Sequence, residues 1–136
     1  MKATSSIGLL ALAILAPATA ANAQTPEREP FTEERFAALQ DQDALILLDV
    51  FADWCPTCAR QQEILAAFQN ENPQAPLHIL SIDFDEQRDL VRRFRAPRQS
   101  TLILYRGDEQ LWFSVAETRR EVIFEALNQA LGGTQR

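Results

Sequence analysis

Two cysteines, Cys55 and Cys58, lie where an apolar, strand-like run ends and a helical pattern begins. The run from Ala44 to Phe51 (ALILLDVF) is rich in branched residues and predicts a strand that is covered on both faces. Apolar residues then recur three and four apart from Pro56 to Asn70, which predicts a helix with the proline in its tolerant first turn. A buried strand that leads straight into a helix is typical of an α/β domain.

The rest of the chain continues the alternation of helices and strands. Thr32 is predicted to cap a first helix that ends near Gln40. Strands are predicted at 77–82, 101–105 and 110–115, and further helices at 86–94 and 118–131. The last helix is predicted to begin with the capping box Thr118 to Glu121. Arg106 to Glu109 predict a hairpin turn, which adds an antiparallel strand to an otherwise parallel arrangement. We therefore expect a three-layer α/β fold with a central mixed sheet of about four strands flanked by helices.

The first 23 residues have the pattern of a secretory signal. Lys2 gives a positive start, Ile7 to Ala16 is apolar and uncharged, and Ala21-Asn22-Ala23 fits an Ala-x-Ala cleavage site. The apolar run is too short to cross a bilayer comfortably as a permanent helix. We expect cleavage before Gln24; a cut after Ala20 and an uncleaved membrane anchor are the alternatives.

Export would divide the 136-residue chain into a cleaved signal peptide (1–23), a flexible N-terminal segment (24–30) and one folded domain (31–136). The segment is polar and contains two prolines, which is typical of a flexible lead-in. The net charge of -6 does not favour nucleic acid or an anionic membrane surface. After cleavage we expect no stable membrane insertion and a periplasmic or secreted location, where disulfides persist.

The position and spacing of the cysteines predict redox chemistry. Free amides at a helix N-terminus favour a thiolate at Cys55, and Cys58, one turn along, can resolve a mixed disulfide formed there. Three alternatives compete. A structural disulfide would close a ring too small to stabilise the fold much. A zinc site would need more ligands than the cysteine pair and His78, the only histidine, can supply. Two inert core thiols would suit a reducing compartment, which the export signal disfavours.

Residues 44–131 resemble the thioredoxin family, and Phe51-Ala52-Asp53-Trp54-Cys55-Pro56-Thr57-Cys58 matches its active-site junction of strand and helix. The resemblance implies a thiol-disulfide oxidoreductase in which Cys55 is the exposed attacking thiol and Cys58 the shielded resolving thiol. It also implies that Trp54 flanks the substrate surface. No soluble cofactor is implied, because electrons pass by thiol exchange. The implied partners are client periplasmic proteins with thiols or disulfides, such as apocytochromes, and a membrane-embedded thiol electron carrier.

Asp49, six residues before Cys55, matches the acid that this family buries beneath its second cysteine. An acid inside ALILLDVF is costly unless it has a partner or a purpose. Burial raises the pKa of a carboxyl group, which would make Asp49 a proton acceptor for Cys58. The alternative is a strand-end residue that faces solvent. The lysine that often accompanies this acid has no counterpart, because the matching strand reads His78-Ile79-Leu80-Ser81.

The cis-proline of the family has no counterpart either, since its position matches Ser100 and Pro97 lies too early. A cis bond before a residue other than proline costs about 3–4 kcal/mol, so the Gln99–Ser100 bond is expected to be trans or strained. Gln99 and Ser100 are candidate substrate-binding residues, with the Ser100 hydroxyl as the hydrogen-bonding group. The alternatives are a neutral local variant, or a site opened so far that the cysteine pair binds a metal ion or an iron–sulfur cluster.

Two more features bear on redox direction and partners. Pro56-Thr57 between the cysteines resembles exported oxidising relatives, and a Thr57 hydroxyl that stabilised the Cys55 thiolate would favour a more oxidising couple. Five arginines crowd the segment 88–98, which is typical of a solvated helix face. Alternatively, Arg95 or Arg98 leans toward Cys55, lowers the pKa of its thiol and attracts acidic partners.

Overall fold

The computed structural model describes residues 26–133, so the predicted signal peptide and its cleavage site lie outside the described residues. The elements in chain order are β1 (Glu29–Pro30), α1 (Glu33–Asp41), β2 (Leu45–Phe51), α2 (Pro56–Glu71), β3 (Leu77–Asp83), α3 (Arg88–Arg93), β4 (Thr101–Arg106), β5 (Glu109–Val115) and α4 (Arg120–Gly132). The strands form one sheet in the order β1-β3-β2-β4-β5. β1, β3 and β2 are parallel, whereas β4 is antiparallel to both β2 and β5. None of the described helices is long and apolar enough to cross a membrane.

The sheet is covered on both faces, as the apolar β2 predicts. Its side chains alternate: Ile46 and Val50 join a core with α1 and α3, while Leu45 and Leu47 join a core with α2 and α4. The predicted three-layer α/β fold is therefore confirmed. The sheet has five strands rather than about four. The fifth, β1, was not predicted because it is only two residues long and has no apolar pattern.

Local signals at α1 and at the β4–β5 hairpin act as predicted. The Thr32 hydroxyl oxygen accepts a hydrogen bond from Arg35 N at 3.1 Å, and the Phe31 and Phe36 rings pack with centroids 5.3 Å apart. In the hairpin turn Gly107 has φ +54, and a Cβ there would lie 2.8 Å from Asp43 Oδ1. Only glycine meets both conditions without strain.

The predicted capping box of the last helix is wrong. α4 begins at Arg120, and its N-cap is Arg119, whose side chain makes no capping hydrogen bond. The carboxylate of Glu117 instead accepts from Arg119 N at 2.8 Å. That local turn places Thr118 one residue too early to cap the helix.

Residues 26–30, the described part of the segment that was expected to be flexible, have partners on the sheet and on α2. β1 pairs in parallel with the outer edge of β3, and Phe31 N donates to Ser81 O at 2.9 Å. Glu27 N donates to the side chain of Gln69 at 2.7 Å, and the Gln69 amide donates back to Glu27 O at 2.9 Å. The backbone of this segment has hydrogen-bond partners on a strand edge, which its polar composition does not reveal.

Three strands converge at the end of the sheet where α2 begins. The last residue of β2, Phe51, pairs with Asp83 at the end of β3, and Val50 pairs with Thr101 at the start of β4. The segment that follows β2 therefore lies beside the segment that precedes β4. These two segments carry Cys55 and Ser100.

Candidate active site

Cys55 and Cys58 form a disulfide at the N-terminus of α2, with their Cα atoms 5.3 Å apart. Cys55 is the N-cap, and its sulfur accepts a hydrogen bond from Cys58 N at 3.1 Å. Pro56 occupies the first turn, as predicted. The amide that faces the Cys55 sulfur, together with the partial positive charge of the helix end, favours a thiolate there once the bond is reduced.

Both sulfurs are covered in this disulfide form. Cys55 is 4 % exposed and Cys58 is 1 % exposed, and they pack with Ala52 and Phe51. The expectation of an exposed Cys55 is therefore wrong for the oxidised site, because the bond draws its sulfur toward its partner. The hydrogen bond from the helix amide, rather than solvent exposure, distinguishes the two sulfurs.

Trp54 is the apolar surface beside the disulfide. It is 63 % exposed, yet its indole nitrogen donates to Asp85 Oδ2 at 2.7 Å. Asp85 also accepts from Arg88 at 3.3 Å. The ring is therefore held in one orientation next to Cys55.

Asp49 is fully buried in β2, so the solvent-facing alternative is wrong. Strand alternation places its side chain on the face that α2 covers, the helix that carries Cys58. Oδ2 accepts from Arg28 Nη1 at 2.6 Å, whereas Oδ1 has no hydrogen-bond partner in the described part of the chain. Burial raises the pKa of Asp49, and the charge and hydrogen bond of Arg28 oppose that rise.

Arg28 is a site residue that the sequence analysis missed. Ser81 pairs with Asp49 across the sheet, in the strand that lacks the lysine often found beside this acid in the family. The Ser81 hydroxyl donates to Glu29 O at 3.2 Å. That bond helps to hold β1 in place, and β1 positions the residue before it, Arg28, beside the Asp49 carboxylate. The guanidinium also lies 4.3 Å from the centre of the Phe51 ring. The cation thus comes from the segment that was expected to be flexible.

Ser100 is buried in a left-handed backbone conformation, with φ +60. Residues 26–133 contain no cis peptide bond, so the Gln99–Ser100 bond is trans. The Ser100 hydroxyl donates to Gln99 O. Gln99 itself is partly buried. In the oxidised protein the hydroxyl that was expected to face substrate is therefore engaged with its own backbone.

Gln61, the second residue that the sequence analysis missed, fixes the Ser100 loop from α2. It is fully buried, and its side-chain amide donates to Ser100 O at 3.1 Å and to Glu117 O at 3.0 Å. Ala116 N donates to the same Ser100 carbonyl at 2.8 Å. Gln61 could have been noticed in the sequence as a polar residue on the otherwise apolar face of α2, one turn after Cys58.

Charged groups surround the site without forming a metal centre. Among residues 26–133, no three His, Cys, Asp or Glu side chains lie close enough together to hold a metal ion. Three of the five arginines in 88–98 pair with acids: Arg88 with Asp85, Arg92 with Asp89, and Arg93 with Glu33. The solvated-face interpretation fits these three.

Comparison with known proteins gives consistent matches. The Thioredoxin family profile matches residues 27–129. The chain is 26 % identical to thioredoxin of Bacillus subtilis over 100 residues, which cover 74 % of this chain and 94 % of that protein. It is also 26 % identical to thioredoxin-1 of Saccharomyces cerevisiae over 80 residues, which cover 59 % and 76 %. The crystal structure of Trxlp from Edwardsiella tarda EIB202 is 36 % identical, with a TM-score of 0.70 over 74 % of this chain and 98 % of that one.

Proposed function

Because the chain belongs to the thioredoxin family and carries the Cys55–Cys58 disulfide, we propose that this thiol-disulfide oxidoreductase works outside the cytoplasm and exchanges disulfides with exported proteins. The observation that carries the chemistry is the hydrogen bond from the α2 amide to the Cys55 sulfur. It favours Cys55 over Cys58 as the attacking thiolate, since only the Cys55 sulfur accepts a hydrogen bond from that amide and lies at the N-terminus of α2.

In the reducing direction, the Cys55 thiolate attacks one sulfur of a client disulfide, and the other client sulfur leaves as a thiolate. Cys58 then loses its proton and attacks Cys55, which releases the second client sulfur. The Cys55–Cys58 bond that results is the disulfide of this structure. Two electrons pass from the dithiol to the client, and the two client thiolates take up two protons. Every step reverses in the oxidising direction.

Asp49 is the proposed acceptor of the Cys58 proton. Its Oδ2 is held by Arg28, and its Oδ1 is buried without a partner in the described part of the chain. A buried carboxylate with one free oxygen and a raised pKa is suited to take a proton and to return it. Trp54 and Gln99 are proposed to border the client, because the segments that carry them meet beside the disulfide. The buried Ser100 is proposed to shape that border from beneath.

Export is supported by the signal pattern of residues 1–23. In a periplasmic or secreted setting, the clients would be proteins with thiols or disulfides, and a membrane-embedded thiol carrier would restore the starting state of the cysteine pair. The resident redox group is the cysteine pair itself, so the proposed cycle needs no soluble cofactor.

Expression of the full chain in a bacterial host tests the location. We expect the protein in the fraction released by osmotic shock, with Gln24 as its N-terminal residue. Retention in the cytoplasm with Met1 in place would contradict export. The reduction potential of the released protein gives the direction: about -270 mV is typical of a thioredoxin-like reductant and about -120 mV of a strong oxidant.

A further inference from the structure

We propose that four exposed residues, Arg95, Arg98, Phe113 and Val115, form a docking surface for client polypeptides that carry acidic side chains next to apolar ones near the reacting cysteine. This inference rests on the proposed function, because it names the substrate class of the same site. It concerns side chains that the exchange mechanism does not use.

The docking surface lies at the end of the sheet that carries the disulfide. Val115 pairs with Thr101, which in turn pairs with Val50 near the end of β2. The Thr101 hydroxyl donates to Arg98 O at 2.6 Å, so the arginine-bearing loop reaches the same strand end. A polypeptide whose cysteine is bonded to Cys55 would therefore extend over this surface.

Its charge is unbalanced. Arg88, Arg92 and Arg93 each pair with a carboxylate, but Arg95 and Arg98 are exposed and form no ion pair within residues 26–133. Three acids of this part of the chain, Asp85, Asp89 and Glu33, are engaged in those three pairs. Two unpaired cations on a chain of net charge -6 form a local site that attracts acidic segments and slows basic ones.

The arginine-bearing loop is held in shape before any client arrives. Arg95 has φ +55, and its amide donates to Arg92 O at 3.1 Å, while Ala96 N donates to Val91 O at 3.0 Å. Ala96 is buried in the α1/α3 core, and Pro97 restricts the backbone that follows. A preformed loop costs little ordering free energy on binding, so the two guanidinium groups contribute more of their attraction.

Apolar side chains lie on the same face of the sheet as this loop, toward the same strand end. Phe113 pairs with Ile103, whose side chain belongs to the α1/α3 core, so Phe113 points to the same face of the sheet as the loop. Phe113 is 38 % exposed and Val115 is 37 % exposed, because β5 is the edge strand and the helices of that face do not cover it. A client segment that matches both features is acidic and apolar.

Exchange kinetics with three model peptides test this proposal. Each peptide carries one disulfide in the same apolar frame, with acidic, neutral or basic flanking residues, and reacts with the reduced full-length protein. At low salt we expect the acidic peptide to react about tenfold faster than the basic one, and we expect the ratio to approach one at about 1 M salt, where charges are screened within roughly 3 Å. The double variant Arg95→Gln/Arg98→Gln should lower the ratio at least about threefold.

The matched control is Arg35→Gln/Arg92→Gln, which makes the same change in net charge at two arginines that already pair with Glu29 and Asp89. Its peptide ratio should equal that of the unaltered protein. An acidic preference that is absent, or that survives the loss of Arg95 and Arg98, overturns the docking surface alone. Failure to exchange with any of the three peptides overturns the proposed function, and this inference with it.

Discussion

Arg28 Nη1 lies 2.6 Å from Asp49 Oδ2 and joins a fully buried acid to the residue that precedes a strand of only two residues. The Arg28 side chain remains 20 % exposed, so the pair links the interior beneath α2 to solvent. Burial raises the pKa of Asp49 while the arginine opposes the rise. The proton affinity of the acid therefore depends on a residue outside the cysteine motif.

Arg28→Met should move the pH dependence of client release. Without the cation, burial acts unopposed and the pKa of Asp49 rises further, so less carboxylate is available to take the Cys58 proton at neutral pH. We expect resolution of a mixed disulfide to slow about tenfold at pH 7 and to recover at higher pH. Stopped-flow measurement across pH checks this, with partial rescue by Arg28→Lys.

The matched control for that variant is Arg35→Met. Arg35 pairs with Glu29, which lies in β1, and it does not pair with Asp49. A purely structural role for Arg28 would slow the reaction equally at every pH. Such a uniform loss, or an equal shift in the control, would count against its role at Asp49.

Asp49→Asn should stabilise the oxidised protein at neutral pH and slow exchange. The folded-state pKa of Asp49 is raised above its ordinary value of 3.8, so between these two values the folded protein binds more protons than the unfolded chain. The free energy of unfolding therefore falls as pH rises through that window, and asparagine removes the fall. Urea unfolding at several pH values should show a stability gain that grows from acid to neutral pH. Resolution should slow about 100-fold.

Single cysteine variants should separate the two thiols. Cys58→Ser should accumulate a mixed disulfide with client proteins, because the attacking thiol remains and the resolving thiol is gone. Cys55→Ser should accumulate none and lose turnover. Non-reducing electrophoresis followed by mass spectrometry of the adducts checks both outcomes. Trapping through Cys58 in the Cys55→Ser protein would reverse the proposed roles.

Ser100 variants should report on its left-handed backbone. Glycine adopts φ +60 freely and alanine does not, so Ser100→Gly should be more stable than Ser100→Ala by about 1 kcal/mol. Ser100→Pro, which introduces the residue that the family resemblance implies for this position, should cost about 3 kcal/mol or more, because proline fixes φ near -65. Chemical denaturation of the three variants checks the order, and a stable proline variant would contradict it.

Gln61→Ala should cost about 2–3 kcal/mol, because it removes two hydrogen bonds from the core side of the Ser100 loop. Gln61→Glu should cost more at neutral pH, since a carboxylate cannot donate to the two carbonyl oxygens. The difference should shrink in acid as the new side chain protonates. Gln129→Ala, at an exposed helix position, serves as the control and should be close to neutral.

The sequence predicted the elements whose signals are local. The apolar run of β2, the Thr32 cap and the glycine of the hairpin each depend on neighbours within a few residues, and each acts as predicted. The cysteine motif was predicted for the same reason, since strand, Cys-Pro-Thr-Cys and helix are contiguous. Burial of Asp49 followed from its place in an apolar strand.

What the sequence did not predict depends on contacts between distant segments. Arg28 reaches Asp49 across 21 residues, and Gln61 reaches Glu117 across 56. β1 forms because β3 offers a free edge, and nothing within Glu29 or its neighbours indicates that edge. The Thr118 cap failed because Glu117 competes for the same turn.

The two residues of β1 matter to anyone who shortens this protein for laboratory use. A version trimmed to begin at Phe31 would keep both cysteines, both cores and every long strand. It would still lack the guanidinium that balances the buried carboxylate. Its cysteines and its long strands would be intact while its proton chemistry differed, so kinetic results from trimmed and longer versions should not be pooled.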